Sequence, residues 1–559
     1  MRPIRYLPPM VDEFVRQGHW TNETFYDFYQ RNAAERPDRE ALVDSNYRVT
    51  WAEAARLVDA IVAAWIDDGL PRDARVIVQA PNSVYGFLAR IACERAGLIS
   101  LTAYPYLRQA ELEYMVEQTQ ASMAVIPHRY RDFDYLAMYR ELMGRFPSLT
   151  RIYLFDAELP AGDTAGVRSL VRAARDYLDK AEPATLARRR LDPFWDVALL
   201  TTTSGTTGLP KLVEWPIAPR LCTSKARVEL WQLRADDVTM AVAPHAGGAA
   251  GTLTYFAAPL VGAKTVMLEE FNPQTALELM ARERVTAIGV VPTHLVRMLE
   301  SKPEDYDLSA LRFIRCAGGY LSPQLAEEAE RRLGAVITSD LGTQDRGSVS
   351  GCQVNDPADL RRRTVGRPLP GNQVRLLDDA GTAAPDGEPG VLWIRGPHAP
   401  AGYYRDPALT AQVFDAEGWT TTEDVVKMER GCLWVLGRKK DVIIRGGQNI
   451  YPAEVEGLLN EHPAVAAVAV VAIPDPVYGE RAAACVVTRP GRTFSFEAMT
   501  RFLAEKKIAR YKFPERLEMV ASMPTVGDSG KVDKKALRQQ IDSRLTADSP
   551  EFPLKASKT

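Results

Sequence analysis

Short apolar runs alternate with helix-patterned stretches from residue 22 to about residue 430. That alternation is the signature of α/β architecture, and it limits the fold more than any other feature of the chain. Thr50 to Asp68 opens on a threonine cap and carries apolar residues at three-to-four spacing, which predicts a helix. "ARVIVQAPNS" reads as a buried strand running into a turn, and "FLARIACERAG" as a helix closed by Gly97. "DVALLTTTSG" reads as a strand entering a loop and "KLVEW" as a strand leaving it. The Ala/Asp/Arg-rich stretch 160–190 reads as a surface connection.

The pattern changes at Gly437-Arg-Lys-Lys-Asp441. Beyond it come "DVIIRGG", a helix opened by Pro452 with Glu454 and Glu456 in its first turns, two strands ("AVAAVAVVAIPD", "RAAACVVTRPG") and two more amphipathic segments. An αββα-type order of this size suffices for a small domain. The expected division is therefore 1–437, a hinge at 438–441, and 442–559. Read from composition alone, "GRKKD" fits a hinge or an ordinary polar turn equally well.

A chain of 559 residues exceeds what one core supports. The formal net charge of −3, without a long basic run, argues against nucleic acid as the main partner. The six cysteines are scattered, with no CxxC and no metal-ligand spacing, so reduced buried thiols are expected. No apolar run approaches the roughly 18 residues of a membrane span, and a cytoplasmic location is expected. Homodimer and monomer both remain open.

"TTTSGTTGLPK" (Thr201–Lys211) crowds five threonines, a serine and two glycines ahead of a lysine. Thr203, Ser204, Thr206 and Thr207 offer hydroxyl donors, and Gly205 and Gly208 let backbone N–H groups approach phosphate oxygens without a Cβ in the way. Lys211 adds a mobile charge for the β/γ end of a triphosphate. Leu209 and Pro210 separate the last glycine from the lysine, so this is not GxxxxGK[ST], and Pro210 argues against a helix following at once. A Ser/Thr/Gly-rich turn is by composition more often structural. The ordered string [ST]SG[ST]TGxPK is more specific than its composition.

That string resembles the phosphate loop of the ANL superfamily of adenylate-forming enzymes. The continuation Pro210-Lys-Leu-Val213 and the opening "GHWTNETFYDFYQRNAAERPDREALV" resemble the aryl-acid branch typified by dihydroxybenzoate–AMP ligases, and similarity is traceable from about residue 18 to about 540. The resemblance implies a large multi-subdomain N-terminal adenylate-forming domain and a small mobile α+β C-terminal domain. By matching position, Asp424 of "WTTTED" would hold the ribose hydroxyls, with Glu423 where the family has glycine. Arg438 would also touch the ribose, Lys440 would be the hinge residue, and Gly318-Gly319-Tyr320 would lie against adenine. The family's "YGxTE" reads here Leu341-Gly342-Thr343-Gln344-Asp345. Leu341 would cover adenine by apolar contact, Gln344 would meet the α-phosphate, and Asp345 would bind Mg²⁺ with a reach one methylene shorter. Asp340 would accept from the adenine amino group. Lys531 of "MPTVGDSGK" would be the adenylation lysine, and Gly446 and Gly447 belong to the "RGGQNIYP" loop presented in the second step.

The implied reaction joins a carboxylic acid and ATP to give acyl-AMP and pyrophosphate, then transfers the acyl group to a thiol. His245, Ala246, Gly247, Gly248, Ala249 and Gly251 of "APHAGGAAG", with Gly318 and Gly342, would line the acid pocket. As a lone histidine, His245 reads equally as a wall residue. Ala246 and Ala249 stand roughly where dihydroxybenzoate ligases bind ring hydroxyls, so an aromatic or alicyclic acid without ortho hydroxyls is expected. Coenzyme A is the favoured acceptor, because no carrier domain is recognisable after Leu537. A carrier protein's phosphopantetheine stays open, as does a silent nucleotide-binding homologue with the eroded "LGTQD".

Overall fold

The computed structural model describes all residues except 161–164, 204–210, 320, 379, 447, 476, 526–531 and 548–559, and in the last helix the side chains of 542 and 545–547. The chain divides into two compact units. The first holds Met1–Ala317, Glu328–Val374 and Ile394–Thr421; the second holds Gly318–Glu327, Arg375–Trp393 and the chain from Thr422 onward.

Two large sheets build the first unit. In the eight-stranded sheet, Gly402–Tyr403, Lys211–Pro216, Val197–Thr203, Ile99–Ala103, Arg75–Gln79, Met123–Ile126, Arg151–Leu154 and Val167–Ser169 lie side by side. The strands from Ile99–Ala103 to Met123–Ile126 are parallel and covered on both faces, which is why they read as unbroken apolar runs. Helix Trp51–Asp67 starts as expected, with Thr50 and Glu53 closing a capping box. It lays Trp51, Val58, Ile61 and Trp65 into the core beneath that sheet. Helix Val84–Arg95 stops at Gly97, whose φ of +69° is the left-handed conformation a chain reversal needs. The nine-stranded sheet runs from Arg367–Pro368 through Val336–Thr343, Phe313–Cys316 and Ala287–Val290 to Glu40–Val43 and Arg48–Thr50.

Residues 160–190 are not merely a surface connection. Val167–Ser169 forms the edge strand beside Arg151–Leu154. Helix Leu170–Asp176, capped by Ser169, buries Leu170, Val171 and Ala174. Three apolar positions at one-and-four spacing carry this packing, and the surrounding arginines and aspartates mask them in a compositional reading.

In the second unit, Val465–Asp475 pairs antiparallel with Gly479–Thr488, which in turn pairs with Arg516–Met519. Val468, Val470 and Ala472 point to one face, under helices Pro452–Leu459 and Phe496–Glu505. Ala469, Val471 and Ile473 point to the other, under helix Lys534–Ala547. Strict two-residue alternation along an apolar strand therefore feeds two cores. All six cysteines are buried and free. Among the described residues no helix is long and apolar enough to cross a membrane.

Candidate active site

The Thr/Gly-rich segment is the connection of a hairpin. Val197–Thr203 and Lys211–Pro216 pair antiparallel, and the last pair is Thr203 with Lys211. Ser204, Gly205, Thr206, Thr207 and Gly208 lie outside the described residues, but the ladder places both ends of their segment side by side. Lys211 Nζ sits 5.6 Å from the centre of the Tyr403 ring. The Tyr403 hydroxyl donates to Asp345 Oδ2 at 2.8 Å and accepts from Arg346 Nη1 at 2.7 Å. Arg346 Nη1 also donates to Asp345 Oδ2 at 2.8 Å, and the Thr343 hydroxyl donates to Asp345 Oδ1 at 3.0 Å. The loop lysine and the carboxylate expected to meet Mg²⁺ are thus joined through one tyrosine. Burial first, then the neighbouring Asp345, push the Tyr403 phenol up to about 12, so it stays a donor at neutral pH.

A carboxylate offers about four acceptor positions, and three on Asp345 are occupied. One remains on Oδ1. A single open carboxylate position suits Mg²⁺ arriving on a nucleotide's phosphates rather than a dedicated protein cage. Consistent with that, no cluster of three or more His, Cys, Asp or Glu able to hold a metal occurs among the described residues.

A narrow cavity adjoins this network. His245, Ala246, Gly247 and Gly248 line it as expected, and Gln344 faces them. Ala249 and Gly251 stand behind that wall. Ala249 accepts from Arg315 Nη1 at 2.6 Å through its carbonyl, and a Cβ on Gly251 would meet the His245 carbonyl at 2.5 Å. Gly251 is therefore a packing requirement, and the same tightness recurs at Gly289, where a Cβ would meet the Ala249 carbonyl at 2.4 Å. His245 is buried; its backbone N–H and ring Nδ1 lie 2.8 and 3.2 Å from Asn82 Oδ1. Burial first, and Arg90 second, hold its imidazole well below the usual value, so it is a neutral wall residue.

Asp340 proves to be a structural anchor. Its two oxygens accept from Arg315 at 2.6 and 3.0 Å, and Arg227 lies 3.5 Å away. Burial alone would raise this carboxyl, but the two arginines outweigh it and hold it below the ordinary range. Leu341 and Gly342 follow on the same strand, where the ladder carries a bulge between them.

In the second unit, register pairs Asp424 with Arg438, and their side chains meet at 2.7 Å. Asp424 is buried, and Arg438 also donates to the Thr422 carbonyl at 3.0 Å. Glu423 has φ +61°, a left-handed conformation that glycine adopts without a steric cost. A side chain there costs about 1 kcal/mol. Glu423→Gly is therefore expected to raise the unfolding free energy slightly, by up to about 1 kcal/mol, in chemical denaturation. A loss of stability would show that the glutamate side chain contributes more than its backbone costs. Gly318, with φ +83°, and Gly319 form an exposed turn ahead of helix Pro323–Leu333. Lys440 is exposed in the short 3-10 turn Lys439–Asp441. Arg445 makes a two-pronged pair with Glu515 at 2.8 and 3.0 Å, and Gly446 follows with φ +55°. Tyr320, Gly447 and Lys531 lie outside the described residues. An isolated bridge between Thr525 and Val532 brackets the segment that carries Lys531.

The sequence reading missed Tyr403, Arg346, Arg90 and Arg220. For Arg90 a signal existed: it stands mid-way along a mostly apolar helix, where an unpaired charge is rarely fully buried.

The hairpin thus ends on Lys211, Tyr403 joins that lysine to Asp345, and a narrow cavity lies beside Gln344. The family model of the AMP-binding enzyme matches residues 29–404, and that of the AMP-binding enzyme C-terminal domain matches residues 454–531. The chain belongs to this family, the ATP-using adenylate-forming ligases of the ANL superfamily. It is 34% identical to a salicylyl-CoA synthase / salicylate adenylyltransferase of a Streptomyces species, over 97% of each chain. It is 32% identical to the 2,3-dihydroxybenzoate-AMP ligase of Bacillus subtilis, over 96% of this chain and 97% of that one. Among solved structures it resembles apo MbtA of Mycobacterium smegmatis at 29% identity and a TM-score of 0.70, covering 96% of this chain and 98% of that one.

Proposed function

We propose that the protein activates an aromatic or alicyclic carboxylic acid without ortho hydroxyls as its acyl-AMP and transfers the acyl group to coenzyme A. The carrying observation is the join of Lys211 to Asp345 through Tyr403 beside the cavity that His245 and Gln344 line. An acid oxygen attacks the α-phosphorus of ATP, and the bond to the β-phosphate oxygen breaks, releasing pyrophosphate. Lys211 and the hydroxyls of the Thr203–Gly208 loop hold the leaving phosphates. Asp345 would hold Mg²⁺, which supplies charge neutralisation on the phosphates. Lys531 bridges the two anions that must meet, and Asp424 with Arg438 fixes the ribose. Gly318, Gly319, Tyr320, Leu341 and Gly342 take adenine, while Asp340, held by Arg315 through both oxygens, only supports the strand beside them. Coenzyme A thiolate then attacks the acyl carbon and AMP leaves, with the small domain turning about Lys440 to present the Gly446–Gly447 loop. No protein nucleophile is required: the work is positioning and electrostatics.

The ring preference is supported by relatives named for salicylate and dihydroxybenzoate. The absence of ortho hydroxyls rests on Ala246, whose side chain brings no hydrogen-bonding group to its part of the wall, while Thr102, Thr201, Thr252 and Gln344 stand elsewhere on it; a buried hydroxyl left unpaired costs about 1–3 kcal/mol. The test is pyrophosphate release with Mg·ATP and benzoate, 2-naphthoate, cyclohexanecarboxylate, 2,3-dihydroxybenzoate or a medium-chain fatty acid, with and without coenzyme A. Coenzyme-A-dependent turnover of a hydroxyl-free ring acid is expected. Adenylation of the dihydroxy acid that ignores coenzyme A would instead assign the carrier-protein reaction.

A further inference from the structure

Two arginines turn into the cavity. Arg90 is 3% exposed, and its guanidinium carbon lies 3.6 Å from the Tyr255 ring centre and 5.6 Å from that of Phe256. The Arg220 guanidinium carbon lies 3.5 Å from the Trp215 ring centre and 5.4 Å from that same Phe256. Both guanidiniums therefore converge on one phenyl ring at the cavity wall. Each makes one neutral hydrogen bond: Arg90 Nη1 to the His245 carbonyl at 3.2 Å, and Arg220 Nη2 to Gln344 Oε1 at 2.9 Å. The Nε of each is buried without an acceptor. Among the described residues, no carboxylate lies within ion-pair reach of either.

Two other buried arginines of the unit are neutralised by carboxylates. Arg315 is paired with Asp340, and Arg361 with Glu330. Two uncompensated charges held close together are costly in isolation, and their mutual repulsion adds to the cost. Burial and then Arg90 lower Arg220 to about 9, so it is still cationic at neutral pH. The aromatic rings offset part of this, because their faces attract cations. What remains unmet is an anion. The carboxylate that is activated loses its charge when it becomes the acyl-phosphate anhydride, so it does not stay to neutralise two guanidiniums on the wall.

Resting on the ligase reading above, we propose that the acid substrate carries a second anionic group, a carboxylate, which sits between Arg90 and Arg220. The substrate class is a dicarboxylic acid: one carboxylate is activated, and the other is bound as a charge and left unreacted. Charge-assisted hydrogen bonds from two forks give this second group geometric as well as electrostatic selection. A neutral group of the same shape leaves both guanidiniums unsatisfied.

The experiment uses the full chain with Mg·ATP and reads pyrophosphate release. It compares benzoate, the three benzenedicarboxylate isomers, and the mono-amide of each isomer as the uncharged twin. One isomer is expected to exceed both its mono-amide and benzoate in kcat/KM by about 10²-fold, the scale of a lost charge-assisted pair. In Arg220→Met and in Arg90→Met the ratio of dicarboxylate to mono-amide should collapse to within about threefold. The ratio is the readout because Arg220 also holds Gln344, and a general loss of rate cancels in it. Thermal unfolding supplies a second measurement. The favoured dicarboxylate should raise the melting temperature of the unaltered protein and not that of either variant. Benzoate turned over as well as every dicarboxylate would overturn the proposal and leave the ligase reading intact. So would a ratio that survives both substitutions. Failure of every acid, mono or di, would remove both readings together.

Discussion

Lys531→Ala is expected to lower acyl-AMP formation by at least about 10²-fold, the loss seen when one preorganised charge donor is removed from a transition state. The first step brings a carboxylate against a triphosphate, two anions that repel. A cation between them is the least dispensable group in such a site. Lys531 lies within 526–531, the segment bracketed by the bridge of Thr525 to Val532. A lysine on a domain that moves can be supplied for adenylation and withdrawn afterwards. The second step needs no such bridge. The variant should therefore still convert supplied acyl-AMP and coenzyme A to thioester at a rate close to that of the unaltered protein. Pyrophosphate release measured against thioester formation from acyl-AMP separates the two. A variant that makes acyl-AMP at the original rate would remove Lys531 from the mechanism.

Asp345→Ala should cost adenylation about 10²-fold and move the Mg²⁺ dependence to higher concentration. Its carboxylate keeps one position open while Thr343, Tyr403 and Arg346 fix its orientation. The substitution also strands Arg346, whose Nη1 now shares itself between Asp345 and Tyr403. Tyr403→Phe removes one neutral donor and leaves the charge, so its loss should be roughly tenfold at most, consistent with about 1 kcal/mol for one hydrogen bond. Titrating Mg²⁺ at fixed ATP distinguishes a metal role from a structural one. An unchanged Mg²⁺ midpoint in Asp345→Ala would assign the carboxylate to holding Arg346 and Tyr403 alone.

Local rules made much of this molecule legible. Thr50 capped its helix, Gly97 ended another, and the strands flanking the Thr/Gly-rich loop paired with Lys211 at the mouth. The apolar run "AVAAVAVVAIPD" marked a strand, which the structure buries on both faces. Glutamate at 423 gave no sign of the left-handed backbone it adopts beside the ladder joining Asp424 to Arg438. Tertiary convergence was not legible. Tyr403 and Asp345 are 58 positions apart and meet only because Gly402–Tyr403 joins the edge of the loop's own sheet. Arg90 and Arg220 arrive from two different helices at one phenyl ring. No periodicity forecasts such a meeting. Asp340 looked available for adenine until the strand beside it brought Arg315 to both of its oxygens.

The most direct test of the account is acid-dependent exchange of labelled pyrophosphate into ATP, with Mg²⁺ present and no thiol. The account predicts exchange with at least one ring carboxylic acid and none without acid, because reversible acyl-AMP formation is the only step that links the two. ATP binding without exchange for any mono- or dicarboxylic acid would contradict it and make the protein a nucleotide-binding homologue that performs no adenylation.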